Sequence, residues 1–284
     1  MCPRKCGVNR TAGELGACGV DGRPKVAAIN IHPWEEPPIS GSRGSGTIFF
    51  SGCTLSCIFC QNYPISQLGV GRSMSIEELA EGMLKLQARG AHNINLVTPT
   101  HQMAAVARAL LLAVPRGLRL PIVYNTSGYE SVETLRLLEG IVDVYLPDIK
   151  FADADIARFC SKRADYVVHN RAALPEMWRQ AGLMALDEEG VAYKGMLVRH
   201  MVLPEDLSGT YESLKFLSDT MGPGIWVSLM NQYFPAHKGL HTPPLDRKVT
   251  PEEYEAAFRA LVDLNLDNGF VQEQCVDDPN EVWF

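Results

Sequence analysis

Thr47-Ile48-Phe49-Phe50-Ser51-Gly52-Cys53-Thr54-Leu55-Ser56-Cys57-Ile58-Phe59-Cys60 reads as a short buried strand that runs straight into a loop carrying three cysteines. The spacing is C-x3-C-x2-C. Close thiolates on one flexible loop can wrap one face of an iron–sulfur cube, and such a cube normally takes four cysteines. With three, one iron keeps an open coordination position, as catalytic metal sites do. That position suits a small chelating ligand, such as the amine and carboxylate of an amino acid. A structural zinc site is the first plain alternative, although zinc usually shows two pairs of ligands and no second CxxC pair follows nearby. Simple buried thiols are the second.

Downstream of the loop the pattern alternates. Ser75 and Glu78 form a capping box, and Ile76, Leu79, Met83 and Leu86 make one apolar helix face that ends at Gly90. Short apolar runs at 93–97, 121–124, 141–146, 195–199 and 224–229 read as strands buried on both faces. Helical stretches fall at 102–114, 131–139, 165–182, 210–221 and 251–264, the last opened by Thr250, Pro251 and Glu253. Strands alternating with helices imply parallel βα units, here an α/β fold of the partial (βα)6 TIM-like barrel type. Function in such barrels gathers where the strands end. Residues 1–40, broken by five glycines and then Pro33, Pro37 and Pro38, carry no helical or strand period and read as an irregular cysteine-containing extension. The expected division is therefore an N-terminal extension, 1–40, and a barrel, 41–284.

The chain has 284 residues and a formal net charge of −7, so a phosphate backbone is repelled and nucleic acid is excluded as a default partner. No apolar run is long enough to cross a bilayer, and MCPRKCGVNR lacks the apolar stretch of a signal peptide; the expected location is cytoplasmic. Six of the eight cysteines lie in the first 60 residues, and in a reduced compartment clustered cysteines more often bind metal than pair with one another.

Polar groups stand at each expected strand end: Thr98-Pro99-Thr100-His101, Asn125-Thr126-Ser127-Gly128, Asp148-Ile149-Lys150, Arg199-His200, and Ser228, Asn231, Gln232 and Tyr233. His101 and His200 read as satisfied structural histidines. Arg199 can pair with a ligand carboxylate in bidentate fashion or make an ordinary salt bridge.

The cysteine loop, with aromatic Phe59 before the third cysteine, resembles the signature of the radical S-adenosylmethionine (SAM) superfamily. Gln61-Asn62-Tyr63-Pro64-Ile65-Ser66 resembles relatives of the pyruvate formate-lyase activating enzyme. The resemblance implies a [4Fe–4S] cluster on Cys53, Cys57 and Cys60 and SAM as its partner, with Phe59 packed near both. It also implies that Asn125 and Ser127 (matching a D-T-N-G stretch), Asp148 and Lys150 (matching D-x-K), Arg199 and Gln232 line the cofactor. Asn125 stands where the family has an aspartate that serves a monovalent cation. Val97-Thr98-Pro99-Thr100-His101 stands where the activating enzymes carry G-G-E, which holds the amino group of SAM. The implied activity is reductive cleavage of SAM to a 5′-deoxyadenosyl radical that abstracts a hydrogen atom. The implied partners are a one-electron donor such as flavodoxin or ferredoxin and a glycyl radical enzyme. A small molecule or a peptide modified directly is the alternative target, and a non-enzymatic iron–sulfur or zinc protein is the alternative class.

Cys2, Cys6 and Cys18 also resemble the start of that subgroup, where a fourth cysteine commonly precedes them. They read either as an auxiliary metal site or as structural thiols in a glycine-rich arm. Cys160 and Cys275 read as plain thiols.

Overall fold

The computed structural model describes residues 2–272, so Cys275 lies outside the described residues. The elements run β1 (Lys25–His32), α1 (Pro37–Ser40), β2 (Ser45–Phe50), α2 (Tyr63–Ser66), β3 (Arg72–Ser73), α3 (Ile76–Ala88), β4 (Ile94–Val97), α4 (Met103–Ala113), β5 (Ile122–Thr126), α5 (Val132–Arg136), β6 (Val144–Pro147), α6 (Ala154–Ser161), α7 (Tyr166–Ala181), β7 (Ala185–Leu186), β8 (Ala192–Met201), α8 (Thr210–Met221), β9 (Trp226–Met230), α9 (Pro251–Asp263) and β10 (Gly269–Val271). Strand order is β10-β9-β8-β6-β5-β4-β2-β1-β3, with β7 attached to β8. From β2 to β10 every neighbouring pair is parallel. The ends of the sheet do not pair with one another, so this is a partial barrel, as expected, with β10 as a seventh parallel strand.

Alternation along the strands sorts residues between two cores. Ile122, Tyr124 and Tyr145 join the large cluster under the helices. Val123, Val144, Leu146 and Leu197 face the interior with Ile39 of α1, which is fully buried among them. Asn125 shares its face with Val123 and therefore turns inward near the end of β5. Both capping boxes form: Glu78 N–H donates to Ser75 Oγ at 3.1 Å and Ser75 N–H to the Glu78 carboxylate at 2.7 Å. Thr250 and Glu253 repeat the pattern at 3.3 and 2.8 Å. Among the described residues no helix is long and apolar enough to cross a membrane.

The structure differs from the sequence reading in several places, three of which have a plain physical cause. Residues 25–32, expected to be irregular, form β1, antiparallel to both β2 and β3. Lys-Val-Ala-Ala-Ile-Asn-Ile-His has little apolar alternation of its own, and it is paired along the lateral backbone edge of β2. The irregular arm is thus confined to residues before Lys25. The strand expected at 141–146 begins only at Val144, because Asp143 is used to accept the Ile122 N–H at 2.8 Å. An additional helix, α6, starts at Asp153, whose carboxylate accepts from the Asp155 and Ile156 N–H groups.

Candidate active site

The cysteine loop leaves β2 through Gly52, at φ +80°. A Cβ there would sit 2.3 Å from the Cys18 carbonyl oxygen, so only glycine makes this turn. The backbone of the loop is tied down at several points. Ser56 N–H donates to Ser161 O at 3.1 Å, Ile58 N–H to Cys160 O at 2.8 Å, and Gln67 Nε2 to Cys57 O at 2.8 Å. Leu55, Ile58 and Phe59 are buried with Phe151, Tyr166, Tyr233 and Leu245. The Phe59 ring meets Phe151 and Tyr233 edge-on, at 6.4 and 5.9 Å between centroids. The apolar residues of the loop thus anchor it, while Cys53, Cys57 and Cys60 remain half-buried and free.

The three sulfurs share one electrostatic neighbourhood. Burial pushes the Cys53 thiol up to about 11, with the Cys60 sulfur adding to the rise. Burial also holds Cys57 well above its ordinary range; Lys150 opposes this, and Cys60 and Cys53 add to it. Such thiols give up their protons when a metal replaces them. Among the described residues no three His, Cys, Asp or Glu side chains are arranged to hold a metal ion. Each cysteine of a cube binds its own iron, so the sulfurs of such a site need not converge on one point.

The ends of β5 and β6 face this loop. Lys150 Nζ lies 2.5 Å from Asp148 Oδ2. Burial works against the ammonium, but Asp148 and Cys57 outweigh it and the pKa of Lys150 rises. Two residues of α7 that the sequence reading did not single out join the two strand ends. Tyr166 Oη donates to Ser127 O at 2.9 Å and accepts from Lys150 N–H at 3.0 Å. Asn170 Nδ2 donates to Asp148 O at 3.0 Å. Their spacing of four on one helix face, with Tyr in a helix start, was the available signal. Gly128, at φ +72°, is enclosed by both sides: a Cβ there would lie 2.3 Å from Asn170 Nδ2 and from Asp148 O.

Gln232 is joined to the cysteine loop through its carbonyl, which accepts from Gln61 Nε2 at 3.0 Å. His200 is satisfied at both nitrogens, by Ile149 O at 2.7 Å and Thr210 Oγ1 at 3.0 Å, and burial pushes it down to about 4. His101 meets Ser51 O at 2.8 Å, but its Nδ1 has no partner.

Arg199 does not present a free guanidinium at the strand ends. It pairs with Glu36 (Nε to Oε1 at 2.8 Å) and with Glu35, in the segment before α1. The side chains of these two carboxylates keep 8% and 7% of their exposure. Glu130 is a further residue missed by the sequence reading. Its Oε1 accepts from the Thr100 and Thr126 hydroxyls, each at 2.5 Å, and burial pushes its carboxyl up to about 7. An ionisable residue directly after Asn125–Tyr129, in a segment otherwise buried, was the signal for it.

Eight buried side-chain polar atoms among the described residues have no partner. Four of them, on Thr54, His101, Ser127 and Glu130, lie on the cysteine loop or just beyond the ends of β4 and β5. Unpartnered buried polar atoms are costly, and their concentration here is what a site built around a polar ligand would show. The residues present therefore fit an iron–sulfur cluster with a polar cofactor beside it.

Comparison with known proteins agrees with this geometry. The chain is 30% identical over 277 residues to Uncharacterized protein MJ0674 of Methanocaldococcus jannaschii, covering 94% of this chain and 75% of the relative. The fold resembles HydG, a maturase of the [FeFe]-hydrogenase, with a TM-score of 0.51 and 10% identity over 77% of this chain and 48% of that one. It also resembles HydG from Carboxydothermus hydrogenoformans, with a TM-score of 0.50 and 14% identity over 77% and 50%. The chain spans about half the length of these maturases, and at such identities the likeness concerns the fold alone. The family profile of the Radical SAM superfamily matches residues 47–217, from β2 and the cysteine loop into α8. The chain belongs to the radical SAM superfamily.

Proposed function

We propose that the protein is an enzyme that cleaves SAM reductively at the ends of β2, β5 and β6. The observation that carries this reading is the meeting of three free cysteines on one anchored loop with the Asp148–Lys150 pair. A [4Fe–4S] cluster held by Cys53, Cys57 and Cys60 supplies, when bound, one electron to SAM, giving methionine and a 5′-deoxyadenosyl radical that takes a hydrogen atom from the target. Lys150 keeps a positive charge beside Cys53 and Cys57 and offsets the charge their thiolates would bring. Asp148 fixes that ammonium and offers its remaining oxygen to donors. Asn125 and Ser127 present polar groups on the adjoining strand end, and Gln232 closes the far side through Gln61. Phe59, buried against Phe151 and Tyr233, excludes water from beneath the loop.

A one-electron donor is required by this chemistry. Neither the uncharacterised relative nor the maturase likeness points to a glycyl radical enzyme, and no described residue favours that target over a small molecule. Anaerobic reconstitution tests the reading. The wild type should release 5′-deoxyadenosine from SAM under a strong reductant. The triple variant Cys53→Ala, Cys57→Ala, Cys60→Ala should lose about four irons per chain and all of that activity. Full cleavage by the triple variant would overturn the assignment.

A further inference from the structure

Asn95 on β4 and Arg199 on β8 are separated in the sheet by β5 and β6, yet one side chain reaches both. Glu35 Oε1 accepts from Asn95 Nδ2 at 3.2 Å, and Glu35 Oε2 accepts from Arg199 Nη2. Asn95 alternates with Ile94 and Leu96 of the core under the helices, so it faces the barrel interior. Arg199 stands two residues beyond Leu197, which faces the same way. Glu35 therefore reaches across the interior between two walls. Glu36 holds the rest of the guanidinium: its Oε1 accepts from Arg199 Nε at 2.8 Å and its Oε2 from Nη2 at 2.5 Å. Glu36 also takes the hydroxyl of Ser228, the register partner of Arg199 on β9.

The charges of this cluster do not cancel. One guanidinium faces two carboxylates, and all three side chains are largely withdrawn from solvent. Among the described residues no other cation pairs with either carboxylate. A buried charge without a partner is costly. One acceptor beside it is also unmatched. Asn95 is fully buried, and its Oδ1 has no donor although its Nδ2 is engaged by Glu35. Each Glu35 oxygen carries one hydrogen bond, and a carboxylate oxygen can accept two.

The excess charge and the unmatched oxygen thus meet at the Glu35–Asn95 contact. A neutral donor would satisfy the oxygen and leave the charge. A hard metal ion asks for about six or more oxygens, more than these two residues supply. A primary ammonium, compact and with three N–H donors, satisfies both needs. Arg199, engaged by both glutamates, is not presented to a ligand carboxylate. The cluster adjoins the candidate active site: Ile149 N–H donates to Arg199 O at 2.8 Å, which sets β8 beside Asp148 and Lys150.

We infer that Glu35, with Asn95 beside it, binds a primary ammonium group on the molecule from which the radical takes its hydrogen atom. The role of that molecule as target rests on the proposed function; the ammonium site itself does not. The substrate class is thereby an amine, and a substrate whose only charge is negative is disfavoured.

The probe is n-butylammonium chloride, titrated calorimetrically into the anaerobically reconstituted protein at neutral pH. Sodium butyrate, n-butanol and potassium chloride serve as controls. Butylammonium should bind, with or without SAM present, and the controls should not. Glu35→Gln removes the excess charge and keeps the Arg199–Glu36 pair, and it should weaken binding at least about tenfold. Asn95→Leu should weaken binding too, and it decides the matter if Glu35→Gln fails to fold. Absence of butylammonium binding overturns the inference, as does equal binding of butanol, butyrate or potassium, or an unchanged affinity in the variants. Displacement of butylammonium by SAM overturns it as well, because the cluster would then serve the amino group of SAM. SAM cleavage is assayed in parallel. A protein that cleaves SAM without binding butylammonium keeps the function and loses the inference. One that binds butylammonium without cleaving SAM loses the function, and with it the role of the amine as target.

Discussion

Lys150 Nζ and Asp148 Oδ2 stand 2.5 Å apart, with both side chains about four-fifths withdrawn from solvent, and the ammonium of this pair acts on the sulfurs of Cys53 and Cys57. The pair therefore belongs electrically to the cysteine loop although it lies about ninety residues further along the chain.

Replacing Lys150 with Met removes a positive charge that acts on those two sulfurs. A cluster on the loop gains negative charge on reduction, so its midpoint potential should fall by tens of millivolts, an order of magnitude set by Coulomb interaction at partly screened range. Lys150→Arg should restore most of the shift. Redox titration followed by electron paramagnetic resonance measures this, and an unchanged potential in Lys150→Met would show that the cation does not act on the cluster.

Gly128→Ala should disturb the site without touching a ligand. Its φ of +72° disfavours a side chain, and the added methyl meets Asn170 and the Asp148 carbonyl. The expected cost is about 1–3 kcal/mol of stability, with a larger proportional fall in SAM cleavage than in thermal stability because Asp148 and Lys150 move. Melting curves and initial rates check it; wild-type values for both would remove the role assigned to Tyr166 and Asn170 in holding the two strand ends.

Glu130 gives a pH signature. Burial raises its folded pKa to about 7, above that of an unfolded glutamate. The folded chain then binds more protons than the unfolded chain between roughly pH 4 and 7, and stability falls as pH rises through that window. Glu130→Gln, which can still accept from Thr100 and Thr126, lacks this dependence. Its stability relative to wild type should grow by roughly 3 kcal/mol between pH 4 and 8. Denaturant unfolding at a series of pH values measures the difference, and parallel profiles for the two proteins would contradict the buried, protonated carboxyl.

Arg199→Met should be the most damaging of these changes. It leaves Glu35 and Glu36 buried without their cation, a loss of about 3–5 kcal/mol. Burial alone would raise the Glu36 pKa, but Arg199 outweighs it and holds it below the ordinary carboxylate range. The contribution of Glu36 is therefore complete above that ordinary range and is lost as pH falls through the depressed folded value. Wild type should lose stability on acidification below about pH 4, and Glu36→Gln should show a shallower acid limb in the same titration.

How far the sequence could be read depended on where each residue finds its partner. The cysteine loop was legible because its chemistry is written in consecutive residues, and the capping boxes at Ser75 and Thr250 were legible for the same reason. The parallel sheet followed from apolar runs such as Ile122–Tyr124, whose burial on both faces needs no alternation. Arg199 was open between two readings because its carboxylates lie 163 and 164 positions away. Tyr166 and Asn170 are ordinary helix residues until the fold sets them against Ser127 and Asp148. β1 was missed because Lys25–His32 is a strand through what it pairs with, not through its own pattern.

The lateral pairing of β1 also protects the protein from itself. β2 ends in the apolar run Ile48-Phe49-Phe50, and β1 occupies the row of backbone N–H and C=O groups on its outer side. A chain shortened to start after His32 would lose more than the arm and its thiols. It would uncover an unpaired hydrophobic edge, the kind of surface on which chains add to one another, and its expected fate is aggregation.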